Sequence, residues 1–165
     1  MSDSQTLHQK GLITGIFFGT GSGVITTLGL IVGLFAGTDS MTAVLGGIVI
    51  IAISDSMSDA FGIHLSEEAR ADSTTRSVWL ATLATFVTKF SMAITFVVPL
   101  LLLPLHQAVV ACVLWGALVM ILLSVFIARR QEQTATLIIV EHLGIAAVVV
   151  ALSWLVGTGI GRLIE

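Results

Sequence analysis

Residues 11–37 read GLITGIFFGTGSGVITTLGLIVGLFAG, an apolar run without a single charged side chain. The hydrocarbon core of a bilayer is crossed by about 20 apolar residues, so this run is long enough to span it. It is too long for the roughly 7–15-residue apolar core of a cleavable signal, which makes it an uncleaved first span. Its glycines are periodic. Gly11, Gly15, Gly19 and Gly23 recur every fourth residue and share one helix face, while Gly29, Gly33 and Gly37 repeat the spacing on another. Faces of this kind let helix backbones approach closely in lipid, where packing drives association. Thr20, Ser22, Thr26 and Thr27 add hydroxyls near mid-span that can bond back to the helix.

Working outward, the chain of 165 residues is 56% hydrophobic and only 10% charged, with a mean hydropathy of +1.06. These values exclude an ordinary soluble domain. The expected fold is all-α, a polytopic membrane protein forming a single five-helix transmembrane bundle. Spans are expected at about 11–37, 42–65, 78–103, 105–128 and 135–160, after a polar N-terminal segment 1–10. Pro99 and Pro104 mark the far end of the third span. The domain reading is therefore a cytoplasmic segment 1–10 and one membrane domain 11–165. Cys112, alone in an apolar run, reads as a packing residue. Lys10, Arg70, Arg76, Arg129 and Arg130 fall on one side of a five-span chain, and the positive-inside rule makes that side and the N-terminus cytoplasmic. No basic cluster exceeds Arg129–Arg130, so no nucleic-acid partner is expected.

The second span ends in Ile53 to Glu68, ISDSMSDAFGIHLSEE, and here charge enters the membrane. Asp55 and Asp59 are four residues apart, about 40° from one another on a helix. A carboxylate at mid-bilayer costs about 2.5–3.5 kcal/mol on insertion scales, so two on one face mark a candidate functional site. Counting 1.5 Å per residue puts Asp55 level with Lys89 of the third span. The same count sets Asp59, Glu141 and His142 in a shallower layer nearer the cytoplasm, with His64 facing away from Asp55. Two readings stand side by side. Lys89 forms a structural salt bridge to Asp55 or Asp59 while Glu141 and His142 snorkel, or the groups line an ion pathway, since carboxylate and imidazole suit divalent first-row metals and exchange protons.

At Gly21-Ser22-Gly23-Val24-Ile25-Thr26-Thr27 with Gly33, at Ser56-Met57 and Leu65-Ser66, at Val98-Pro99 through Pro104, and at Leu155-Val156-Gly157 through Gly161-Arg162-Leu163, the chain resembles the vacuolar iron transporter family, which includes the nodulin-21-like proteins. The resemblance runs in order across nearly the whole chain. It implies proton-coupled export of cytoplasmic Fe²⁺ or Mn²⁺ as the transported ion, with no tightly bound cofactor. The residues themselves supply the candidate metal ligands Asp55, Asp59, Glu141 and His142, and Glu67, Glu68 and Asp72 are all that could stand in for the family's cytoplasmic metal-binding domain, reduced here to Ser66–Ser77. Lys89 becomes the charge partner, and Ser22, Thr26 and Met57 become pore-lining residues. A homodimer is implied through the first span, with Gly15, Gly19 and Gly23 at the interface. The chain departs from the family at Ser22, where the family has an aspartate, and at the missing glutamate after Ser-Met.

The expected function is thus a divalent-metal transporter, in a cell (inner) membrane rather than a vacuolar one. Two alternatives belong to other classes: a non-transporting membrane protein with an inert salt-bridge core, and a proton-coupled carrier of another solute whose anionic group binds Lys89. No nucleophile with a paired base, phosphate loop or HExxH motif is visible, so no enzyme is expected.

Overall fold

The computed structural model describes residues 3–164. Met1, Ser2 and Glu165, the outer ends of the expected segments 1–10 and 11–165, lie outside the described residues. Six α-helices follow one another: α1 (Asp3–Thr38), α2 (Met41–Glu68), α3 (Thr75–Thr95), α4 (Val97–Leu102), α5 (Leu105–Gln131) and α6 (Ala135–Ile164). With α3 and α4 taken together, five helical segments are long and apolar enough to cross a membrane. The chain is an all-α, five-span bundle. The helices run past the expected span ends into the polar segments, because Ser40 caps α2 by accepting from Ala43 N–H and Thr74 forms a reciprocal capping box with Ser77 at the start of α3.

The third span is broken where the prolines predict. Pro99 has no N–H and leaves the Thr95 carbonyl without its helical donor, so α3 ends at Thr95. Phe96 N–H turns back to the Ala93 carbonyl at 3.2 Å before α4 begins. Phe96 is fully buried, and its carbonyl accepts from the Cys112 thiol at 3.6 Å. Cys112 is thus the packing residue its setting predicts.

α1 is the centre of the bundle and packs on α2, α3, α5 and α6. Half of its most apolar window is buried (50%), against 11% for α6. The glycines make this possible. A Cβ on Gly11 would lie 2.6 Å from the Ser77 carbonyl oxygen, and one on Gly19 would lie 2.7 Å from that of Thr85, so α3 lies backbone to backbone along the first glycine face. The second face receives α6, with a Cβ on Gly37 falling 2.9 Å from the Gly157 carbonyl. Helix-on-helix packing of both faces is as expected. The two-fold interface at Gly15, Gly19 and Gly23 is not, because all three are buried against α3 of the same chain and leave no room for a second copy.

The apolar core gathers Val24, Leu28 and Ile31 of α1 with Ile48, Phe96 and Met120. Outward-facing Ile50, Phe61, Leu101, Leu114, Leu122 and Leu155 are exposed, as a lipid-facing surface requires. Lys10 acts electrostatically on Asp72, and Arg130 shares a groove with Ile13 of α1, so these basic residues gather at one end of the bundle. Arg162 lies at the other end beside Asp39 of the α1–α2 turn.

Candidate functional site

The site forms where α1, α2 and α3 meet. Glycine sets it up, because Gly19 and Gly23 bring the Lys89 backbone against α1: a Cβ on Gly23 would sit 3.4 Å from Lys89 Cα. From there the lysine side chain lies between α1 and α2. Its Nζ donates to Asp59 Oδ2 and to Ser22 Oγ at 3.0 Å, and it lies 2.6 Å from Asp55 Oδ2. Ser22 Oγ in turn donates to Asp59 Oδ2 at 2.6 Å. The Asp55 contact is close yet off hydrogen-bonding direction, so Asp55 Oδ2 has an ionic partner and no directed donor.

Burial is asymmetric across the cluster. The Lys89 side chain is 2% exposed, while those of Asp55 and Asp59 retain 31% and 23%. The ammonium is sealed in the bundle and the carboxylates form its outer wall. Both aspartates engage one ammonium even though they differ by a helical turn in depth, because the long lysine stem places Nζ between them. With all three groups ionised the cluster carries a net negative charge. Its chemistry is that of a hard oxygen site with a built-in cation.

Other expected site residues lie elsewhere. Thr26 is half-buried one turn outward of Ser22, and its hydroxyl donates to the Ser22 carbonyl at 3.0 Å. Met57 is 58% exposed on the outer side of α2, which removes it from any pore within this chain. Glu141 is exposed on α6. His142 Nδ1 lies 2.8 Å from Ser124 Oγ on α5. Ser124 gives its own hydrogen to the Met120 carbonyl at 2.6 Å, which leaves its oxygen free to accept from Nδ1. α6 packs on α1 and α5, which is why Glu141 and His142 do not join the aspartates as their common depth suggests.

Glu67 is buried and pairs with Arg70 at 3.3 Å, which also holds Asp72 at 3.2 Å. The bond from Arg70 holds the Asp72 carboxyl below its usual range, and Asp72 raises the guanidinium correspondingly. Glu68 is exposed and stands 4.0 Å from His64, whose Nδ1 meets Thr82 Oγ1 at 2.9 Å. His64 thus joins α2 to α3, the helix that also supplies Asp55 with Lys89. Neither glutamate reaches the cluster two turns away. Among the described residues no three His, Cys, Asp or Glu side chains gather to hold a metal ion. The metal-ligand set expected from Asp55, Asp59, Glu141, His142, Glu67 and Glu68 is therefore dispersed, and only the two aspartates meet.

An apolar groove of about 760 Å³ lies between α1, α5 and α6, lined by Leu28, Val32, Val113, Ala146, Val150 and Trp154 among others. It contains none of the cluster's residues, so it offers nothing to a cation. Two fully buried hydroxyls, Thr27 and Ser56, enter the linear reading only as a span hydroxyl and a motif residue, and that reading gives neither a place in the site. Compared with known proteins, the chain matches no family model, no curated protein and no solved structure.

Proposed function

We propose that this protein is a membrane carrier, not an enzyme, that exchanges a divalent transition-metal cation, Fe²⁺ or Mn²⁺, for protons at the Lys89–Asp55–Asp59–Ser22 cluster. The observation that carries this reading is the sealed Lys89 ammonium behind two partly exposed carboxylates. In the resting state the Lys89 ammonium offsets one of the two aspartate charges. A divalent cation arriving at the carboxylates competes with the ammonium for the same oxygens, and the charge it brings is offset by release of a proton from the cluster. Two carboxylates and a hydroxyl form a weak oxygen site, which suits release as well as capture.

The carrier works as a homodimer. Ser54, Ser58 and Gly62 form an exposed small-residue face on α2 beside the partly exposed aspartates, and a Cβ at Gly62 would meet open space. Carboxylates facing hydrocarbon are costly, and a second copy covering this face removes that cost. The basic end of the bundle faces the cytoplasm of a cell membrane, in keeping with the positive-inside rule.

Uptake of radiolabelled Fe²⁺ and Mn²⁺ into proteoliposomes under a pH gradient tests this function. Flux above that of empty liposomes, abolished in Asp59→Asn, is expected. A wild-type protein that carries neither ion points to the second reading, an inert ion-pair core, which draws support from Lys89 already having three partners.

A further inference from the structure

Helical hydroxyls in this protein close onto their own backbone. Thr20, Thr26, Ser54, Thr85, Ser124 and Thr158 each donate to the carbonyl four residues earlier. Thr27 and Ser56 do not. Both are fully buried, and neither hydroxyl oxygen has a hydrogen-bond partner among the described residues; Asp55 Oδ2 shares that condition. A buried hydroxyl without a partner costs about 1–3 kcal/mol, so two such hydroxyls beside a carboxylate oxygen whose one close contact is ionic call for a common cause.

Helix register brings them together. Ser22 meets Asp59, and Gly47 faces Leu30 and Leu34, which sets antiparallel α1 and α2 so that Thr26 lies level with Asp55, and Thr27 and Ser56 fall within about a helical turn of that level. Gly19 meets Thr85 and Gly23 meets Lys89 in parallel α1 and α3, which sets Thr27 level with Ala93, one turn beyond Lys89. Thr27, Ala52, Ser56 and Ala93 are small residues buried near this level, with Leu28 beside Thr27. Buried polar groups at one level on neighbouring helices are where a bridging water, which needs two to four such partners, can sit.

We infer that Thr27 Oγ1, Ser56 Oγ and Asp55 Oδ2 bind one shared water molecule between α1, α2 and α3, on the side of Lys89 away from the basic end of the bundle. The water supplies Asp55 Oδ2 with the directed donor that Lys89 does not, and it extends the polar path one helical turn past the ion pair. This site is a property of the folded chain and stands whether or not the cluster carries a metal.

A double-mutant cycle on the detergent-solubilised protein tests it. Thr27→Val and Ser56→Ala preserve shape, and each should lower Tm, because each leaves the water short of a partner. Thr27→Val/Ser56→Ala together should lower it no further than the worse single variant, since the shared water is already lost. Either single variant with an unchanged or raised Tm overturns the site, because deleting an orphan hydroxyl relieves a penalty. Losses that add overturn it as well. High-resolution density for the wild type supplies an independent check: a water touching both hydroxyls supports the site, and two hydroxyls turned onto their own helices exclude it.

Discussion

Replacing Lys89 by methionine keeps the length of the side chain and removes its charge, leaving Asp55 and Asp59 to face each other in low dielectric. Breaking a buried pair by deleting one partner costs about 3–5 kcal/mol, and the partial exposure of both carboxylates puts the expected loss at the low end. Lys89→Met should therefore melt markedly earlier than wild type, and adding Asp55→Asn and Asp59→Asn together should recover most of the loss. A Lys89→Met protein as stable as wild type would mean that the ammonium is not what compensates the aspartates. The meeting of Asp55 and Lys89 was legible in the sequence, because depth follows from counting residues along a span. Azimuth does not follow from counting. Glu141 and His142 share the depth of Asp59, yet they lie on a helix that packs against the far side of α1, and no residue pattern within α6 states which neighbour it chooses.

At the scale of helices, the glycine ladder predicts close packing correctly and names the wrong partner. A repeat of four specifies a smooth face, while the identity of the opposing backbone depends on how all five spans arrange, which no one span encodes. Gly19→Leu should therefore act within one chain, prising α1 from α3 and withdrawing Lys89 from Ser22. Its Tm loss should be independent of protein concentration, whereas a loss that shrinks at high concentration would return these glycines to an interface between copies. The turn after α5 carries a different strain. Glu132 caps that helix with φ 53°, a left-handed conformation that costs a residue with a Cβ about 1 kcal/mol and glycine almost nothing. Glu132→Gly should raise stability by about that amount in thermal melts. In the α2–α3 loop, the lowered Asp72 pKa sets a pH window. The Arg70 bond contributes fully above the ordinary carboxyl value of 3.8 and is lost as pH falls through the lower folded value. Amide exchange at residues 69–74, corrected for its intrinsic pH dependence, should accelerate only in that acid range.

For the whole molecule, the test of assembly is chemical. Cys112 is buried, so a Cys112→Ala background carrying Ser58→Cys offers one reactive thiol on the exposed face of α2. Oxidative crosslinking in membranes should give a dimer with Ser58→Cys and none with a thiol at Leu152, which faces outward on α6. The reverse pattern would move the interface to α6. The central place of α1 also has a consequence for how the protein is made. Chains emerge from the ribosome N-terminus first, at about 5–20 residues per second. α1 therefore enters the bilayer before any of its partners exists, and the helix that fills its outer glycine groove, α6, is the last to be synthesised. A nascent chain stopped after Gln131 holds every member of the Lys89 cluster and still lacks the wall that closes Gly29, Gly33 and Gly37. α6 thus acts as the lock on α1, and a chain that stops before it leaves the site assembled on an unfinished scaffold.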